Sequence, residues 1–121
     1  MTETGKGGLS ADLAALLPLD LRDALDSPCR RRILRSLRED GGELNVAEIR
    51  ARGCSTCTLS CVTYHLGVLV ESHLVRRLGA GSVRGRLEYT FAAIAEEQPG
   101  LEQVLTATAI ADGAHPEPAQ A

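Results

Sequence analysis

Apolar residues recur along this chain at helical spacing, and the polar residues between them mark where each helix begins and ends. The clearest stripe lies between Thr58 and His73. There Leu59, Val62, Leu66, Leu69 and Val70 fall on one side of a helix, while Ser60, Cys61, Thr63 and Tyr64 gather on the other side in its first turns. Thr58 stands where its hydroxyl can accept from an otherwise unpaired backbone N–H. Upstream, Ser10 precedes a first helix carrying Leu13, Leu16 and Leu17; Pro18 interrupts it, and Leu21, Ala24 and Leu25 resume the stripe. Ser27 followed by Pro28 is a cap with proline at the first helical position, opening a helix to about Arg38 with Ile33, Leu34 and Leu37 inward. Gly41-Gly42 ends it. Asn45 with Glu48 three residues on is a capping box that opens a short helix to Arg52, and Gly53 suits a left-handed exit. Between these two helices, Glu43-Leu44 has room only for a one-rung strand beside a later hairpin.

After His73 the pattern changes to strand. Leu74 to Leu78 reads as one strand, Gly79-Ala80-Gly81-Ser82 as its turn, and Arg86 to Phe91 as the returning strand. Ala92 to Glu97 is expected to form one helical turn before Pro99-Gly100. Leu101, Val104, Leu105 and Thr108 make one face of a final helix. The fold class is therefore mainly α with a small β-hairpin. Residues 1–9 read as a flexible arm, 10–112 as the single domain and 113–121 as a disordered tail.

Composition agrees with packed helices. In 121 residues, 44% of them hydrophobic, the only aromatics are Tyr64, Tyr89 and Phe91, so Leu, Val, Ile and Ala must fill the core. The net charge of −3 conceals an uneven distribution: from Pro28 to Thr90 eleven arginines face six acids, and the flanks carry the opposite balance. A local basic region of this kind suits phosphate binding better than the overall charge suggests. Arg30, Arg31 and Arg32 at a helix start read as a solvated face, as phosphate contacts, or as both. No apolar run reaches membrane-spanning length and the first residues lack a signal-peptide pattern, so a cytoplasmic protein is expected.

A short helix, a turn of about five residues and a longer helix with a polar leading face follow the helix-turn-helix order. The segments A-L-D-S-P-C-R-R-R-I-L-R-S-L, V-T-Y-H-L-G-V-L-V-E-S-H-L-V and R-G-R-L-E-Y-T-F, spread over about residues 19–91, resemble the winged helix-turn-helix regulators of the arsenic-repressor (ArsR) type. That resemblance implies a homodimeric, sequence-specific transcriptional regulator of double-stranded DNA, without catalytic residues and without a membrane partner. Helix 58–73 would enter the major groove and a wing at about 76–91 would follow the backbone. Terminal helices build the two-fold contact in that family, which here implies Leu13, Leu16, Leu17, Leu101, Val104 and Leu105. Twelve arginines to one lysine fit a GC-rich bacterial source.

Several residues depart from the family pattern. His73 replaces the usual glycine after the recognition helix; histidine enters the left-handed region more readily than most non-glycine residues. The recognition helix carries no Lys or Arg. Base contacts would fall to Ser60, Cys61, Thr63 and Tyr64, and phosphate contacts to Arg50, Arg52, Arg76, Arg77, Arg84 and Arg86. The missing positive charge favours an alternative, a degenerate winged helix that binds protein. The family's metal-binding thiol pair belongs on the helix after Asn45, where this chain has no cysteine.

Its own cysteines are elsewhere: Cys54, Cys57 and Cys61 form C-x2-C-x3-C into the long helix, and Cys29 lies near the start of another. They are either small apolar fillers or a thiol switch or thiophilic metal site, zinc being the natural occupant. In the second case Cys61, at a helix start, is the expected reactive thiol, and His65 or Cys29 would complete the ligands if the fold brings either one in. His65 otherwise packs structurally, and His115 lies in the tail. No phosphate loop, carboxylate pair or nucleophile elbow points to an enzyme. A Cys61/His65 pair would lack a substrate pocket.

Overall fold

In the computed structural model, which describes residues 8–83 and 85–113, the chain runs through α1 (Ala11–Ala14), α2 (Leu19–Arg22), a 3-10 turn (Ala24–Asp26) and α3 (Pro28–Asp40). It continues through β1 (Leu44–Asn45), α4 (Val46–Gly53), α5 (Leu59–Glu71), β2 (Val75–Val83), β3 (Arg86–Ala93) and α6 (Leu101–Thr108). It is mainly helical, with one small antiparallel sheet in the order β1-β3-β2.

Local chemistry accounts for most of the helix boundaries. Ser27 accepts from the Arg30 amide at 3.3 Å, with Pro28 at the start of α3, and Gly41 leaves α3 at φ 75°, a left-handed exit that glycine makes without steric cost. Asn45 Oδ1 accepts from the Glu48 amide at 2.9 Å while the Asn45 amide donates to Glu48 Oε1 at 2.8 Å, completing the capping box of α4. Thr58 caps α5, its Oγ1 accepting from the Cys61 amide at 3.1 Å. At the far end of α5, His73 takes φ 63° as expected. Its amide and that of Leu74 donate to the carbonyls of Val70 and Leu69, both at 3.0 Å. This is the paired closure that usually depends on glycine, and the buried Leu69 and Leu74 accompany it.

The core lies between α3, α4, α5 and the sheet. Ile33, Leu34 and Leu37 of α3 meet Ile49 of α4 and Val62, Leu66 and Leu69 of α5, with Leu44, Val75 and Phe91 contributed by the strands. Phe91 is its single aromatic. Leu59, expected on the buried stripe, is instead 51% exposed, one turn before the stripe reaches its neighbours. β1 pairs Leu44 with Phe91 and Asn45 with Thr90, the short strand beside the hairpin that the sequence suggests.

Three further expectations fail for identifiable reasons. Gly53 is the last residue of α4, not a left-handed exit. A Cβ there would lie 3.2 Å from the Arg32 carbonyl and 3.0 Å from Ser36 Oγ, so this glycine serves the close approach of α4 to α3. The hairpin is longer than expected: β2 continues through Gly79–Ser82 and the strands stay paired to Val83↔Arg86. The register slips by one residue between Leu78 and Gly81, so the glycine-rich stretch makes a bulge and not a turn. Finally, Ala92 and Ala93 remain in β3, paired with Arg76 and Val75, and the Ile94 amide donates to the Leu74 carbonyl at 3.1 Å, which holds the expected helical turn extended.

α6 is held by a charge cluster that spans the chain. Arg31, 1% exposed, donates to Asp112 Oδ2 and Oδ1 at 2.7 and 2.8 Å and to the Leu25 carbonyl at 2.7 Å. Arg35 donates to Asp112 Oδ2 at 2.9 Å and to Thr108 Oγ1 at 2.7 Å, and Arg32 reaches the Asp112 carbonyl at 3.2 Å. Burial alone would raise the pKa of Asp112, but the hydrogen bonds from Arg31 and Arg35 outweigh it and hold the carboxyl below its ordinary value. At the other end the Leu9 amide donates to Asp26 Oδ1 at 2.8 Å, so the docked chain begins ahead of Ser10. Most of the expected arm and tail (residues 1–7 and 114–121), with His115, lies outside the described residues.

Candidate functional site

Locking Val62, Leu66 and Leu69 into the core turns the opposite side of α5 outward. Ser60, Cys61, Thr63 and Tyr64 are all exposed there, Tyr64 at 65%. The Thr63 hydroxyl donates back to the Leu59 carbonyl at 2.9 Å, leaving its lone pairs and methyl for a partner. All four expected base-reading residues thus share one accessible surface at the start of α5.

His65 sits at the edge of that surface and is not a free base. Its pKa is lowered, first by partial burial and then by the charge of Arg30, so it is neutral at neutral pH. A guanidinium can only donate, and Arg30 Nη1 lies 3.1 Å from Nδ1, so Nδ1 accepts and Nε2 carries the hydrogen. Nε2 faces Cys61 Sγ at 3.8 Å. In this tautomer the Nε2–H points toward the Cys61 sulfur. Arg30 is itself fixed by the Ala24 and Asp23 carbonyls at 2.7 and 3.1 Å.

The basic region is less available than the sequence suggests. Besides the arginines bound to Asp112, Arg38 pairs with Glu102 and Arg52 with Asp40 at 2.7 Å. Arg50, expected to contact phosphate, points inward, its Nε donating to the Cys57 carbonyl and so fixing the turn before α5. Arg76 and Arg77 on β2 are exposed. Adjacent strand residues face opposite sides, so these two address both faces of the hairpin. Arg77 also lies over the Tyr89 ring, 4.9 Å from its centroid. Arg84 lies outside the described residues, and Arg86 opens β3.

The apolar residues expected at a dimer contact are largely used within the chain. Leu17, Leu101, Val104 and Leu105 are buried in its own core, because α6 packs inward with the Asp112 cluster. Leu13 is half-buried, and Leu16 is 44% exposed. The Leu16 carbonyl also abuts Gly100, where a Cβ would collide with it.

Cysteines form a second centre just beneath the start of α5. Cys29 in the first turn of α3, Cys54 at the end of α4 and Cys57 in the α4–α5 turn bring three sulfurs within 4.8 Å of one another, a group placed to hold a metal ion. Cys54 and Cys57 are joined as a disulfide, and Cys29 Sγ lies 2.8 Å from Cys54 Sγ and 3.3 Å from Cys57 Sγ. The expected trio of Cys54, Cys57 and Cys61 is corrected: Cys61 remains an exposed free thiol on the outer face of α5, and Cys29 takes its place. Helical geometry explains the exchange, since Cys61 precedes the inward Val62 and so points away from α3. No protein-family model matches the chain, and no curated protein matches it.

Proposed function

We propose that this protein is a sequence-specific DNA-binding transcriptional regulator that acts as a homodimer through a winged helix-turn-helix. α4 and α5 are its helix-turn-helix, and the β2–β3 hairpin is its wing. The observation that carries the reading is the row Ser60, Cys61, Thr63 and Tyr64, short or planar polar groups exposed at the start of a helix whose other side is anchored in the core. Thr63 offers its methyl to thymine and its lone pairs to a base amino group. Phosphate contacts fall to Arg76, Arg77, Arg84 and Arg86; Arg52 could join them only by exchanging its Asp40 partner for a phosphate. Two recognition helices related by a two-fold axis would read half-sites about 34–36 Å apart. The dimer contact passes from the buried leucines to the apolar side chains left exposed near the chain's ends, Leu16, Leu19 and Ile110. No helix among the described residues is long and apolar enough to cross a membrane, and the regulator acts in the cytoplasm. Its effector chemistry is that of the cysteines: a thiophilic metal such as zinc, or thiol oxidation.

A random-library DNA selection with the purified full chain tests this reading. Enrichment of one palindromic sequence is the expected outcome, and replacing Ser60, Thr63 and Tyr64 together by alanine flattens base preference more than it weakens nonspecific binding. Equal loss on all sequences would remove these residues from base reading. A second reading, a winged-helix module that binds protein, is favoured by the exposed Leu59 and Tyr64 beside a helix with no Lys or Arg. Failure to enrich any sequence, with capture of a partner protein that depends on Leu59 and Tyr64, would establish that reading instead.

A further inference from the structure

We propose that Cys29, Cys54 and Cys57 form a three-thiolate site for one soft divalent metal ion, and that the Cys54–Cys57 disulfide is the same site in its closed, oxidised state. The proposal deepens the metal half of the functional reading and does not depend on DNA binding.

The ligand set follows from the donors present. Among the described residues no histidine or carboxylate joins the three sulfurs, which selects a soft, thiolate-preferring ion over one bound by oxygen. Around a tetrahedral zinc with Zn–S about 2.3 Å, thiolates stand about 3.8 Å apart. Cys29 Sγ is already within about an ångström of that distance from both partners, and opening the disulfide frees Cys54 and Cys57 to separate. Cys54 is buried while Cys29 and Cys57 are half-buried, so a fourth position opens toward solvent for water or a small thiol. Arg32 Nη2 lies 3.9 Å from Cys29 Sγ, a positive charge beside a ligand set that carries three negative charges when loaded. Cys61 and His65 are occupied with each other on the outer face of α5 and take no part.

Oxidation and metal binding compete for the same electrons. With hydrogen peroxide as oxidant, the Cys54 and Cys57 thiolates give up two electrons and the S–S bond forms. The peroxide O–O bond breaks and, with two protons, leaves as two waters. The metal loses two of its three protein ligands and departs, and a dithiol reductant reverses the change.

The test is titration of the reduced full-length protein with cadmium, followed by its sulfur-to-metal charge-transfer absorption. One ion per chain is expected. Replacing a residue that merely supports a metal ligand already costs about 10- to 100-fold in affinity, so C29S and C57S, which each remove a ligand, should weaken binding by about a hundredfold or more. C61S should leave it unchanged. Peroxide should release the ion, and peptide mapping after thiol alkylation should then find Cys54 joined to Cys57 with Cys29 and Cys61 free. The mapping uses wild-type protein and so does not depend on any variant folding. Absence of binding by reduced protein, equal loss in C61S and C29S, or an ion retained after Cys54 and Cys57 have joined would each overturn the proposal.

Discussion

On α3 the arginines at 30, 31, 32 and 35 turn back onto the protein, whereas on β2 Arg76 and Arg77 stand in solvent. Both segments look alike as basic sequence. They differ in what lies within a side chain's reach: α3 faces the returning end of the chain, which supplies the buried Asp112 carboxylate and the Leu105 and Asp112 carbonyls, while Arg76 and Arg77 stay exposed and Arg77 meets the Tyr89 ring. Arginine in the first setting organises the fold, and in the second it remains available to an outside anion. Positive charge counted along a sequence therefore overstates what a ligand can use.

The strongest way to break this contrast is to remove the carboxylate at its centre. D112A strips Arg31 and Arg35 of their shared anion and should lower unfolding free energy by about 3–5 kcal/mol, as expected when one partner of a buried ion pair is removed. Denaturant unfolding measures it, and a loss below about 1 kcal/mol would mean that the cluster does not hold α6. Acid should act on the same group less abruptly. The folded-state pKa of Asp112 is lowered, so its contribution is fully present above the unfolded value of about 3.9 and is lost as pH falls through the folded value. Stability followed from about pH 6 to pH 2 should fall at the acid end, and the fall should be shallower in D112N.

Replacing Arg76 and Arg77 by alanine provides the opposite limb. Exposed and outside the core, they should change stability by no more than about 0.5 kcal/mol. On the regulator reading the same double variant lowers the slope of log affinity against log salt by about 1 for each of the two that neutralises a phosphate, and by at most about 2. An unchanged slope would place the hairpin off the DNA.

Much of this fold was legible because its signals are local. Ser27-Pro28, the Asn45/Glu48 box, Thr58 and His73 each act within a few residues, and each appears where the sequence puts it. The surface row on α5 was legible for the same reason, since helical periodicity alone decides which side Ser60, Thr63 and Tyr64 occupy. Gly53 was misread because a close helix approach and a left-handed exit both call for glycine, and only the packing of α4 against α3 separates them. The Asp112 cluster had no local signal: its arginines have the spacing of an ordinary solvated helix face, and nothing in the sequence beside the aspartate sets it apart from other surface acids. The thiol site was half legible. C-x2-C-x3-C marked Cys54, Cys57 and Cys61, with Cys29 only as a candidate further ligand; that Cys29 stands in the place of Cys61 depends on how the N-terminus of α3 packs against the turn before α5.

Arg31 and Asp112 are 81 residues apart in the chain, and this separation constrains the order of folding. The capped helices and the hairpin draw on near neighbours and can form early, whereas a loop of that length must close before the buried guanidinium meets its carboxylate. During synthesis, which proceeds from the N-terminus, Arg31 emerges long before Asp112 and remains hydrated until α6 arrives. The clasp is therefore a late event in folding, and stepwise C-terminal truncation should show protease resistance rising sharply only once residue 112 is included.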